Sequence, residues 1–300
     1  MASEAHLGRR VGSSERHLIL NADDFGVSAA VNDAVLRGHC EGVLSSASLM
    51  VNEAAAESAA AAARRHPSLA VGLHLVLSCG RAALPTPEIS HLVGNDGHFP
   101  ASPAVAGLRA FFHPAARREA AKEVAAQFER FAETGLPFDH VNGHQHLHLH
   151  PVIWRLMVEQ CRRFGVCCVR VPFEELRLFT PGQSVRRATE WAVFRALRAW
   201  CTRQARRENL FTAHRVYGHL ETGRVSEPYL LYLLDRLPTG VSEVYLHPGA
   251  GGSPDPELQA LVSPAVRARM EDRAIALITY GRAVALMRDK RAGVENGRYR

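Results

Sequence analysis

Short apolar runs alternate along this chain with helical stretches, and that alternation limits the fold more than any other feature. Residues 17–20, 43–52, 69–77, 138–144, 166–171, 216–219 and 241–246 read as strands. Between and after them, 28–38, 54–65, 115–134, 151–164, 183–207, 226–236 and 264–288 carry helical periodicity or helix-forming composition. Strands separated by helices of ten to twenty residues mean repeated βα units and a parallel sheet. About seven such units favour a closed or nearly closed (β/α) barrel over an open sheet. Residues 78–114 are rich in Pro, Gly and His and read as a long loop, a common place for function. A polar lead-in over 1–15, one domain over 16–290 and a polar tail over 291–300 are expected.

Several strands end on chemistry. The first runs from His17 into Asn21, Ala22, Asp23 and Asp24. Two adjacent carboxylates at the end of an apolar strand are costly unless they are paired or bind a metal. A strand end that begins to turn can bring both into one pocket with different tasks. Gly26 permits the turn, and Ser28 is placed to cap the next helix. His74 lies inside an otherwise apolar strand, where an isolated His is more often a hydrogen-bonded core residue. The segment His140 to His150 holds five His. Of these, His144, His146, His148 and His150 would share one face of an extended chain. Imidazole is a common ligand for divalent metals, but the ~3.3 Å rise per residue keeps all four from one ion. His247 ends the last strand and is a candidate general acid. Arg170 is a charge in an apolar run and needs a carboxylate; Asp23 is the candidate partner.

Other classes are set aside. There is no Gly-x-Ser-x-Gly elbow for a serine hydrolase and no Gly-x-Gly-x-x-Gly after the first strand for a dehydrogenase. The formal charge is +6 and mostly Arg, without a basic run interleaved with aromatics, so nucleic acid is not an expected partner. No apolar run is long enough for a membrane span, and residues 1–16 show no apolar signal core. Six scattered Cys without a Cys-x-x-Cys fit free thiols in a cytoplasmic protein.

The order NADDFG, GLHL, the H-x-H-x-H segment and HPG resembles the YdjC-like carbohydrate deacetylases over nearly the whole chain. The resemblance implies a distorted (β/α) barrel related to polysaccharide deacetylases and one divalent ion, with Mg²⁺ and Zn²⁺ both open. It implies Asp24, His74 and His144 as metal ligands; within the His run, His146 is the alternative to His144. It implies Asp23 as the base that deprotonates water and His247 as the acid that protonates the departing amine. The phrases SLMVN, VGLHLVL, DHVNGHQHLHLHP and VRVPFE are similar to the hopanoid-biosynthesis-associated branch, although Gln145 departs from that branch's usual residue. That branch implies an N-acetylglucosaminyl hopanoid as substrate, with soluble chitooligosaccharides as the alternative. A metal-dependent phosphoesterase and a non-catalytic sugar-lipid binder are further alternatives. A protein acting on a lipid headgroup is expected at the inner face of the membrane, and the sequence leaves room for a homodimer. The helix over 183–207 places Val193, Phe194, Leu197, Trp200 and Cys201 on one arc and Arg187, Arg195, Arg198, Arg203 and Arg206 on another. On the base rate for amphipathic helices, the apolar arc packs on the barrel; a membrane-facing helix at the barrel mouth is the alternative.

Overall fold

The computed structural model describes residues 15–172 and 185–297. Side chains are described outside 185–194 and 290–297. The strands are β1 (Arg16–Phe25), β2 (Ser46–Leu49), β3 (Ala70–Leu75), β4 (Val141–Gly143), β5 (Arg215–Tyr217), β6 (Gly240–Leu246) and β7 (Ile275–Leu277). They form one parallel sheet in the order β4-β3-β2-β1-β6-β5, with β7 sharing the β2 edge of β1. The sheet curls towards closure. Val141 of β4 bridges Val169, and Cys168 bridges Phe211, four residues before β5. A distorted (β/α) barrel of seven parallel strands results.

Around the sheet lie α1 (Ala29–Cys40), α2 (Ala56–Arg65), α3 (Pro103–Phe112), α4 (Pro114–Glu133), α5 (Pro151–Phe164), α6 (Val185–Arg207), α7 (Glu227–Arg236), α8 (Pro256–Val262), α9 (Pro264–Asp272) and α10 (Tyr280–Gly297). Local chemistry sets several of their limits. Ser28 caps α1 by accepting from the Val31 N–H. Gly165, at a φ of 70°, ends α5. Alternation in β1 sends Leu18, Leu20 and Ala22 outward into the main apolar core under the helices. Ile19 faces inward with Asn21 and Asp23. In β6, Val244 and Leu246 join the outer core, while Val241 and Tyr245 face inward on either side of Glu243. The barrel interior is therefore partly polar, and Tyr280 at the start of α10 reaches into it from the N-terminal end of the strands.

Several expectations change. The run 166–171 forms only isolated bridges at Cys168 and Val169, because the partners on both sides touch it at single residues. The fourth strand stops at Gly143, because Gln145 and His146 both take left-handed φ values. The four alternate His therefore lie in a 3₁₀ segment, His144–Leu149, and its cap, not along one extended face. The loop 78–114 contains α3. The stretch 264–288 is broken into α9, the short strand β7 and α10, which runs on to Gly297. In α6, Leu197 and Trp200 pack against the core, Cys201 is buried, and Trp200 meets Trp154 edge-on at 6.3 Å. That is the packed case; Val193, Phe194 and Arg187 lie outside the described side chains. Among the described residues, no helix is long and apolar enough to cross a membrane.

Candidate metal and catalytic site

The site forms where β1, β3 and β4 end. The β1–β2 register runs Asn21 to Ser46 and Ala22 to Ala47, then shifts before Phe25 pairs with Leu49. Asp23 and Asp24 occupy that irregularity, and Asp24 takes a φ of 60°. A bulge of this kind re-aims side chains. Here it lets neighbouring carboxylates serve two different clusters at one strand end.

Asp24 meets the histidines. Its Oδ1 lies 3.2 Å from His74 Nε2 and 3.0 Å from His144 Nδ1. One ligand atom from each of the three residues falls within 4.8 Å of the others. Donors ~2.0–2.2 Å from one ion, at right to tetrahedral angles, stand roughly 3.0–3.5 Å apart. The two Asp24 contacts match that spacing, and two imidazoles with one carboxylate suit a divalent ion that keeps further positions open. Burial pushes the Asp24 carboxyl up, but hydrogen bonds from His144 and His74 outweigh it and hold Asp24 well below the usual carboxylate range. His74 is fully enclosed, which alone would lower its pKa; the Asp23 and Asp24 charges raise it instead.

Asp23 meets Arg170. Its Oδ2 accepts from Arg170 Nη1 at 2.6 Å, and its Oδ1 accepts from Asn21 Nδ2 at 2.8 Å. Desolvation raises the Asp23 pKa, but the Arg170 guanidinium and then the His74 charge hold it well below the ordinary range. Arg170 is wholly buried and pairs with a second carboxylate, Glu243, through Nε at 2.9 Å and Nη2 at 2.6 Å. Tyr280 Oη donates to the other Glu243 oxygen at 2.5 Å. The guanidinium also lies over the Tyr245 ring, 4.6 Å from its centroid.

Asn142 joins the two clusters. Its amide lies 2.6 Å from His74 Nδ1 and 2.8 Å from Ser48 Oγ. With Oδ1 towards His74, it accepts the Nδ1 proton, so that Nε2, which donates to Asp24 here, would be the nitrogen to give up its proton to a bound metal. The swapped amide instead donates to Nδ1 and accepts from Arg170 Nη1 at 2.9 Å and Nη2 at 3.0 Å. Only the first orientation leaves His74 Nε2 free to ligate a metal.

The other named His are distributed differently. His247 is half-buried after β6, its backbone N–H donates to Glu257, and its Nδ1 stands 4.0 Å from Glu257 Oε2. His247 also contributes to the field on Asp23. His146 turns away from Asp24 and meets Tyr245 Oη at 2.9 Å through Nε2. His148 donates from Nε2 to the Arg170 carbonyl at 2.9 Å. Sequence reasoning missed Glu243, Tyr280 and Asn142. Glu243 carried a usable signal, since a lone Glu in the apolar run GVSEVYL mirrors the lone Arg in VCCVRV.

Residues 17–272 match the YdjC-like protein family. The chain belongs to this family. A carbohydrate deacetylase from Geobacillus stearothermophilus is 32% identical over 88% of this chain and 97% of its own length. A carbohydrate deacetylase from Mus musculus is 31% identical over 87% and 92%. A chitooligosaccharide deacetylase from Serratia marcescens is 37% identical over 48% of this chain and 54% of its own. Among solved structures, a protein from Enterococcus faecalis described as acting in cellobiose-phosphate cleavage superposes with a TM-score of 0.66. It is 23% identical and covers 89% of this chain and 98% of its own, a likeness of fold.

Proposed function

We propose that this YdjC-like protein is a divalent-metal-dependent carbohydrate N-deacetylase. The observation that carries the reading is the division of labour between adjacent carboxylates: Asp24 with His74 and His144, Asp23 with Arg170. The deacetylase names of the relatives aligned along most of the chain support the same chemistry.

An amide is a weak electrophile, and Asp23 is a weak base because Arg170 stabilises its charge. A divalent ion held by Asp24, His74 and His144 would polarise the acetamide carbonyl and acidify the attacking water, compensating for both. Asp23 then takes the water proton, with Arg170 and Asn21 fixing the carboxylate plane. His247, the residue that follows β6, protonates the amine as the C–N bond breaks, and acetate and a free amino sugar result. Two imidazoles and one carboxylate are compatible with Zn²⁺ or Mg²⁺.

The substrate we assign is the N-acetylglucosaminyl headgroup of a hopanoid lipid, reached by a cytoplasmic protein at the inner membrane face. The phrases VGLHLVL, DHVNGHQHLHLHP and VRVPFE support that branch. Acetate release should be measured on an acetylated glycolipid, on soluble chitooligosaccharides and on phosphate esters, before and after chelation. Chelator-sensitive acetate from the glycolipid supports the full reading. Acetate from soluble sugars alone removes the lipid, and phosphate release alone removes the deacetylase. Hopanoid mass spectrometry of cells with and without the protein then tests the acceptor.

A further inference from the structure

Helix α3 is packed in an unusual sense. Its small residues, Ala106, Gly107 and Ala110, face the protein. Its large apolar residues face outward: Val105 is 41% exposed, Leu108 57%, Phe111 45% and Phe112 73%. An ordinary surface helix buries its large apolar side chains and exposes polar ones. Grouped exposed residues of this size mark an interaction surface, whereas scattered ones need no explanation.

The position of α3 relates this surface to the site. A Cβ on Gly107 would lie 3.4 Å from His150 and 3.6 Å from Leu147, and the Phe111 ring meets His150 edge-on at 5.9 Å. Leu147 belongs to the 3₁₀ segment that opens with His144, so α3 rests on the segment supplying a candidate metal ligand. Arg117, in α4, donates from Nη2 to the Phe111 carbonyl at 2.6 Å and fixes the exposed end of α3.

The segment that builds the surface carries one sign of charge, and Glu119, the first acid after it, is paired with His91. From Gly97 to Arg118 the chain has no Asp or Glu, but it has Arg109, Arg117 and Arg118. A two-fold contact through α3 would set this arginine rim against its own copy, which like-charge repulsion opposes. An apolar helix face with a cationic rim is suited to an interface that is apolar inside and anionic at its edge.

We propose that α3 docks the protein on an anionic lipid bilayer, inserting Leu108 and Phe112 among the acyl chains while Arg109 and Arg118 meet the headgroups. The site entrance is thereby held beside the membrane surface. The proposal specifies a surface for the membrane contact in the functional reading. Binding to vesicles is read without turnover, so either idea can fail while the other stands.

The test is sedimentation of the intact protein with phosphatidylcholine vesicles, with and without phosphatidylglycerol. Binding is expected with phosphatidylglycerol and should weaken with salt. Leu108→Ser with Phe112→Ser should lose at least about tenfold in partitioning, because the two large apolar groups that enter the acyl region are removed. Arg109→Glu and Arg118→Glu should each lose about fivefold or more on anionic vesicles. Both sets should retain the thermal midpoint and the rate on a soluble acetylated sugar. Failure to bind either vesicle would overturn the proposal. So would undiminished binding by the Leu108/Phe112 variant, or light scattering showing a wild-type dimer that this variant turns into a monomer.

Discussion

Glu243 holds Arg170 by two hydrogen bonds to a single carboxylate oxygen, Nε at 2.9 Å and Nη2 at 2.6 Å, with both side chains wholly buried. This leaves the Nη1 end of the guanidinium for Asp23. Asp23 therefore receives one end-on bond, not a bidentate clamp, and keeps lone-pair capacity for water. Removing Glu243 outright strands a buried cation, a loss of about 3–5 kcal/mol. Glu243→Gln retains the shape and an acceptor, and should fold while losing roughly tenfold in turnover, about 1.4 kcal/mol. Placed in an Asp23→Asn background, it should cost little more, because it acts through Asp23. Equal losses in both backgrounds, at matched thermal midpoints, would make Glu243 a general structural residue.

Asp23→Asn separates the base from the ligands. The amide accepts no proton, yet it keeps the shape next to Arg170 and Asn21. Metal content should be unchanged, and turnover should fall about 10²–10⁴-fold. Near-normal rates in a metal-loaded variant would reduce Asp23 to a partner for Arg170.

Part of this candidate site was legible because its residues violate their local context, while the choice of Asp24, His74 and His144 as ligands rests on the family resemblance. Asp23 and Asp24 end an apolar strand, His74 and Arg170 interrupt apolar runs, and each violation needs a partner. The barrel was legible for a similar reason, since alternating periodicities leave few topologies. What failed was backbone detail set by tertiary packing. Nothing in Gln145 or His146 announces a left-handed φ, so the His run read as extended. β7 has three residues, two of them exposed, and is too short to carry a period. α3 was hidden because its small face packs and its large face does not, the reverse of the pattern sought.

Asp24→Ala, His74→Ala and His144→Ala should each abolish stoichiometric divalent metal, read by elemental analysis. His146→Ala should retain it, because His146 lies against Tyr245 and away from Asp24. Full occupancy in the His144 variant with loss in the His146 variant would exchange their roles.

Asn142 should set metal affinity through His74. Asn142→Leu removes the amide oxygen that, turned towards His74, would hold the proton on Nδ1, and groups of this kind typically cost about 10–100-fold in metal affinity. Asn142→Asp retains an acceptor and should recover most of that loss. Competition against a chelator of known affinity measures both, and equal affinity in wild type and the Leu variant would remove the assigned role.

His148 should set part of the acid sensitivity of the fold. Burial, opposed by its bond to the Arg170 carbonyl and reinforced by the Arg170 charge, brings its pKa down to about 4 from an ordinary 6.5. Between those values the unfolded chain binds the proton and the folded chain does not. The stabilising contribution is therefore complete above about pH 6.5 and is lost as pH falls towards 4. A shift of that size amounts to about 3 kcal/mol in full, and roughly 2 kcal/mol of it should disappear between pH 7 and pH 5. His148→Gln can keep a donor for the Arg170 carbonyl without titrating. Urea unfolding of both proteins at the two pH values isolates the effect, because the other lowered groups, His146 and His150, are common to both. The wild type should lose about 2 kcal/mol more than the variant on acidification. Parallel losses would show that His148 is protonated as readily in the fold as outside it.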